Sequence, residues 1–171
     1  MAIYTPPTYD RTKKPLIFLA GPIKEAIRWQ NKTAEILAKL APEINIASPR
    51  YIGENQDTIG DFYLQEKPNE QIDWETYHLN KAGKNGVVLF WLAKEAEHYC
   101  SRAFAQTSRF ELGEWKEKHL TQNSKLVVGI EEGFSGKGYI EYRLIGSDIL
   151  IQNSLLDTCI KSIELYNNQR H

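Results

Sequence analysis

Residues 86–115 read GVVLFWLAKEAEHYCSRAFAQTSRFELGEW, and the fold turns on this stretch. It opens with a continuous apolar run, Val87-Val88-Leu89-Phe90-Trp91-Leu92. A run without alternation predicts a strand buried on both faces. A polar loop over residues 94–101 follows. Next comes a helical pattern with Phe104, Phe110, Leu112 and Trp115 as its apolar positions, running to about His119. That pattern carries Glu111. A carboxylate near the start of a helix that follows a central strand sits where open α/β sheets bind ligands.

Upstream, Leu16-Ile17-Phe18-Leu19-Ala20 predicts a first buried strand, and Gly21-Pro22 turns the chain. Ile27, Ala34, Leu37, Ala38 and Leu40 give the next segment a helical apolar face, which Pro42 ends. Residues 44–47 predict a second strand, closed by Ser48-Pro49-Arg50. Residues 51–68 form a long polar loop of the kind that is often functional. A helix follows from Asn69 to about Gly83. Downstream, Leu126-Val127-Val128-Gly129-Ile130 predicts another buried strand. Residues 139–145 read as a short edge strand or an irregular approach to a last helix, whose apolar side is Ile149, Leu156, Ile160 and Ile163. The order predicts an α/β three-layer sandwich with a mostly parallel sheet of four or five strands. Residues 1–15 are expected as a loose N-terminal arm and residues 16–171 as a single α/β domain.

The 171 residues are 42% hydrophobic with net charge −1, which suits one core and offers no electrostatic footprint for a nucleic acid polymer. Two cysteines make no disulfide framework, and no apolar run approaches the ~20 residues that span a bilayer. The N-terminus lacks a signal-peptide apolar region, so a cytoplasmic setting and no membrane partner are expected. No Rossmann fingerprint follows the first strand. The loop from Gly133 to Gly138 fails as a Walker A motif, which needs a glycine at Glu131 and Ser or Thr at Gly138. His98 and Cys100 lack a second ligand pair, so no metal site is expected.

Two readings of Glu111 compete. Ser108 could cap the helix with Glu111 three residues later, a capping box. Alternatively, a first-turn glutamate held ionised by free amides and the helix dipole could act as a nucleophile at a sugar carbon. Gly113 would then admit a close neighbour. Asp73 and Glu75 on the preceding helix are candidate partners; two apart, they cannot face the same way.

These motifs, taken together, resemble the nucleoside 2-deoxyribosyltransferases and the related N-glycoside hydrolases of nucleosides and nucleotides. The resemblance spans residues 16–130. It rests on IFLAGPI at residues 17–23, Trp29 and its helix followed by Ser48-Pro49-Arg50, QIDWE at 71–75, the apolar strand and FELGEW at 110–115. It implies a flavodoxin-like fold and a covalent mechanism with Glu111 as the nucleophile. An acidic residue on the helix before the central strand would handle the base. Counting from Ala82-Gly83 selects Glu75, with Asp73 the close alternative; counting from Gly86 lands on His78. Phe18, Gly21, Pro22, Trp74 and His78 are candidate substrate-binding residues. Arg50 and Arg109 join them, and with Lys137 could neutralise a phosphate. The sequence departs from the family pattern at Ala105, where an acidic residue commonly stands six before the nucleophile. It departs again at Gly83 or Gly86, where an aspartate usually opens the central strand. The resemblance implies base exchange on a small-molecule nucleoside or nucleotide with a free nucleobase as acceptor, hydrolysis being the alternative and a non-catalytic nucleotide-binding module a third reading. It implies no metal or organic cofactor. It also implies a homo-oligomer in which Tyr139, Tyr142 and the terminal YNNQRH contribute to the neighbour's pocket.

Overall fold

Three apolar runs build the middle of a sheet. They are β2 (Leu16–Ala20), β4 (Val87–Leu92) and β5 (Leu126–Ile130), and every residue in them is buried. The structure, a computed structural model, describes residues 1–53, 67–101 and 103–168. Among these residues the sheet has six strands, completed by β1 (Ile3–Tyr4), β3 (Asn45–Ala47) and β6 (Leu150–Gln152) in the order β1-β3-β2-β4-β5-β6. All five pairings are parallel.

Because successive side chains in a strand point to opposite faces, each central strand feeds two cores. Ile17, Leu19, Val87, Leu89 and Trp91 pack with α1 (Trp29–Leu40) and with a C-terminal helix at Leu155–Asn167. Phe18, Ala20, Val88, Phe90 and Leu92 face the other way. They meet α2 (Pro68–Asn85), α3 (Gln106–Gln122) and α4 (Lys137–Leu144); the C-terminal helix is α5. The result is an α/β sandwich of three layers. Leaving out β1, the remaining strands follow the 2-1-3-4-5 order of doubly wound sheets. The chain leaves β2 toward β3 on one side and β4 toward β5 on the other, so the switch point lies at the carboxyl ends of β2 and β4.

Several expectations need correction. The sheet has six strands rather than four or five, because two short edge strands lack an apolar run. Residues 139–145 lie largely in α4 and not in an edge strand: Ile140 and Leu144, four apart, turn inward while Tyr139 and Tyr142 turn out. The edge strand is Leu150–Gln152, all half-buried. Most of the long loop expected at 51–68, residues 54–66, lies outside the described residues. So do the last three of the terminal YNNQRH.

The first fifteen residues, expected to hang loose, are tied down. Ile3 and Tyr4 pair with Ile46 and Ala47, and Asp10 is fully buried. The backbone N–H of Asp10 donates to His78 Nε2 at 3.0 Å, so the ring proton sits on Nδ1 and donates to Trp74 O at 2.9 Å. Lys81 Nζ reaches Asp10 Oδ2 at 2.7 Å, and Tyr77 donates its hydroxyl to Asp10 O at 2.9 Å. Burial would raise the Asp10 carboxyl, but hydrogen bonds from Lys81 and Thr12 outweigh it and hold it below the ordinary carboxylate range.

Candidate active site

At the switch point a cleft of about 720 Å³ opens. One wall follows β2: Gly21, Pro22, Ile23 and Lys24. Gly21 has φ +146, and a Cβ there would lie 2.2 Å from Trp91 O, so only glycine lets the turn close on β4. Trp29 Nε1 donates to Pro22 O at 2.9 Å, and Arg50 Nη1 donates to Ile23 O at 3.1 Å. The turn is therefore held from behind by two side chains. The second wall is the start of α2, through Gln71, Ile72 and Glu75. The third is the start of α3, through Ala105, Thr107, Ser108 and Glu111.

Helix α3 begins at Gln106, with Ala105 as its N-cap in the left-handed region at φ 55 and no side-chain cap. Ser108 is thus the third helical residue, buried against the cleft, and the expected capping box does not form. Glu111 is the sixth, beyond the first turn, where the effect of the dipole has fallen off. This overturns the expectation of a glutamate held ionised. Burial, then the charge of Glu75, then that of Glu114 push the Glu111 carboxyl from its ordinary 4.5 up to about 8. Gly113, expected to admit a close neighbour, faces open space.

Glu75 faces Glu111 across the cleft. Burial raises its carboxyl too, opposed by a hydrogen bond from Gln71 Nε2 to Glu75 Oε1 at 2.6 Å. Two desolvated carboxyls that feel one another cannot both ionise cheaply, and the charge of Glu75 is one of the causes that raise Glu111. Such a pair can supply a nucleophile and an acid–base group in one site.

The remaining candidates separate by position. Phe18, Gly21 and Pro22 line the cleft. Asp73 is exposed and points away from it. Trp74 and His78, expected near the substrate, are not in the lining and make their polar contacts with the N-terminal residues. Trp74 donates to Thr8 O at 2.8 Å and lies against His78 with ring centroids 4.1 Å apart and planes tilted by 35°. Burial holds the His78 pKa below the ordinary imidazole value, keeping it neutral as a clamp on the arm. Arg50 supports the wall without lining it. Arg109 turns to the next loop, where Nη2 donates to Ser135 O at 2.6 Å and the guanidinium lies 4.6 Å from the Phe134 ring centroid. Lys137 pairs with Glu132 at 2.9 Å, also outside the lining.

Sequence reasoning missed Gln71, Lys24, Phe110 and Glu114, which line the cleft. For Gln71 the available signal was its spacing, four before Glu75 on one helix face. Phe110 stands 75% exposed at the rim, one residue before Glu111. Among the described residues no helix is long and apolar enough to cross a membrane.

Residues 14–134 match the family model described as "Nucleoside 2-deoxyribosyltransferase like". No curated protein matches the chain.

Proposed function

The chain belongs to the nucleoside 2-deoxyribosyltransferase-like family, and from that premise we propose that it exchanges the base of a nucleoside through a covalent glycosyl-glutamate. One observation carries the reading: two desolvated glutamates, Glu111 and Glu75, line one cleft at the switch point, and the charge of one raises the carboxyl of the other. In the reactive arrangement Glu111 is ionised and Glu75 holds the proton. A Glu111 oxygen attacks C1′, and the C1′–N bond breaks with its electron pair leaving on the base nitrogen. Glu75 gives its proton to the departing base. In the second half an acceptor base attacks C1′, the ester bond to Glu111 breaks with its pair returning to the carboxylate, and Glu75 takes the proton that the incoming nitrogen loses. Water in place of the acceptor gives hydrolysis with the same proton bookkeeping.

The charge of the walls supports an uncharged nucleoside as substrate. Among the described lining residues three are carboxylates, Glu75, Glu111 and Glu114, and Lys24 is the one cation. A 5′-phosphate would meet more repulsion than attraction there. The arginines expected to neutralise it, Arg50 and Arg109, are engaged elsewhere. An oligomer, with the exposed Tyr139 and Tyr142 at its contact, is part of the same reading.

Chromatography of reactions with each ribo- and deoxyribonucleoside, with and without a free acceptor base, tests this directly. We expect a new nucleoside only when the acceptor is present, and a mass adduct on Glu111 with a 2-fluoro-substituted nucleoside. No turnover of any nucleoside, with no adduct, overturns the proposal.

A further inference from the structure

Gln71 has no place in the mechanism above, yet its surroundings are specific. It sits on α2 one turn before Glu75, lines the cleft, and is 3% exposed. Both N–H groups of its amide are engaged: Nε2 donates to Pro49 O at 3.2 Å and to Glu75 Oε1 at 2.6 Å. Its Oε1 is buried and has no hydrogen-bond partner among the described residues. Turning the amide over would set Oε1 against the Pro49 carbonyl and the Glu75 carboxylate, acceptor against acceptor. The amide orientation is therefore fixed by its partners. An apolar side chain here would leave no orphaned acceptor, which costs free energy when buried. The sequence keeps an amide all the same.

We propose that Gln71 is a positioning residue: clamped to the Pro49 carbonyl, it holds Glu75 in the cleft as a hydrogen-bond acceptor and so favours the charged form of Glu75 over that of Glu111. This rests on the reading of Glu111 and Glu75 as the reacting pair. A donor aimed at Glu75 stabilises its charged form, and the same bond stabilises the carboxylate that Glu75 becomes as it protonates the leaving base. The other charges facing the pair from neighbouring elements are Glu114 on α3 and Lys24 after β2. Neither is hydrogen-bonded to Glu75; Glu114 raises Glu111 by its charge, and the Gln71 bond widens the difference from the Glu75 side. Attack then requires the proton to pass from Glu111 to Glu75 or to the bound base, which ties formation of the nucleophile to the arrival of substrate.

The test reads the carboxyls themselves. Carbon-13 NMR titration of protein labelled at the glutamate side-chain carboxyls, assigned with the Glu75→Gln and Glu111→Gln variants, gives each group's midpoint without turnover. In wild type we expect Glu111 to titrate above Glu75. In Gln71→Met the Glu75 midpoint should rise by about one pH unit, the worth of a hydrogen bond to a charged group. In Gln71→Glu, which replaces a donor by a third carboxyl, it should rise further. The acid limb of kcat against pH should move with it while KM changes less than threefold. A wild-type Glu75 midpoint above that of Glu111, or an unmoved Glu75 in a folded Gln71 variant, overturns the proposal. Should Gln71→Met fail to fold, the wild-type order of midpoints and the Gln71→Glu titration decide the matter. Absence of turnover in wild type, with the carboxyl midpoints as expected, would instead count against the proposed reaction.

Discussion

Replacing Glu111 by glutamine should inactivate the protein and stabilise it. In the folded chain the Glu111 carboxyl titrates near 8, against an ordinary 4.5. Below pH 4.5 both folded and unfolded chains hold the proton, and burial of the group carries no ionisation cost. Between pH 4.5 and 8 the unfolded chain releases a proton that the folded chain keeps, so stability falls as pH rises. Above pH 8 both states are ionised and the full cost is present. At about 1.4 kcal/mol per pH unit this cost is about 3 kcal/mol at pH 7 and nears 5 kcal/mol above pH 8. Glutamine has a similar shape and no charge to desolvate, so it should recover most of it. For a domain of this size that corresponds to a rise in Tm of roughly 6–12 °C at pH 7. Urea unfolding of wild type and Glu111→Gln at pH 5, 7 and 9 measures the effect, with the gap between them widening as pH rises. A gap that stays constant across these pH values refutes the argument, because a buried carboxyl that did not titrate differently on folding would give that result. Base exchange by the variant at a rate comparable to wild type would separately remove Glu111 from the chemistry.

Glu75→Gln should slow base departure by at least a hundredfold, while Asp73→Asn, on the exposed face of α2, should change it less than twofold; equal small effects would take this helix out of the mechanism. Gly86→Ala should destabilise the fold by about 3 kcal/mol or more in urea titration, since its Cβ would lie 1.9 Å from Leu16 O in the packed β2–β4 connection, and a near-neutral result would contradict that close approach. Arg109→Ala should cost about 1–2 kcal/mol through the lost Ser135 bond and the Phe134 stack, yet leave KM for a nucleoside unchanged; a tenfold rise in KM would return Arg109 to the substrate site.

The three central strands were legible because burial on both faces demands uninterrupted apolar side chains, and Leu16–Ala20, Val87–Leu92 and Leu126–Ile130 supply them. The edge strands were not. Leu150–Gln152 is half-buried throughout and leaves no run to read. Ile3–Tyr4 is two residues long, and what fixes it lies 43 positions away, in its pairing with Ile46 and Ala47 and the bond from Ala2 N to Asn45 Oδ1. Residues 139–145 misled because two exposed tyrosines dominate their apolar content, while the helical pair Ile140 and Leu144 makes the contact. At the site, the position of Glu111 after the central strand could be read, but its electrostatics could not. A serine three residues before a glutamate suggested a helix start at Ser108. The chain instead sets the N-cap three residues earlier, at Ala105 in the left-handed region. That shift moves Glu111 from the stabilising field of a first turn into the field of Glu75. No local pattern reports it, because the partner comes from another helix.

Helix α2 explains how so costly an arrangement can be held still. Its side chains divide at helical spacing into two working faces. Gln71 and Glu75, four apart, face the cleft. Trp74 and His78, also four apart, and then Lys81, face the N-terminal residues. Trp74, Tyr77 and Lys81 donate to the carbonyls of Thr8, Asp10 and Thr12, and His78 accepts from the Asp10 N–H, so four side chains fasten that second face. Residues 1–15 lie outside the cleft, yet they are bonded to the helix that carries Gln71 and Glu75 into it.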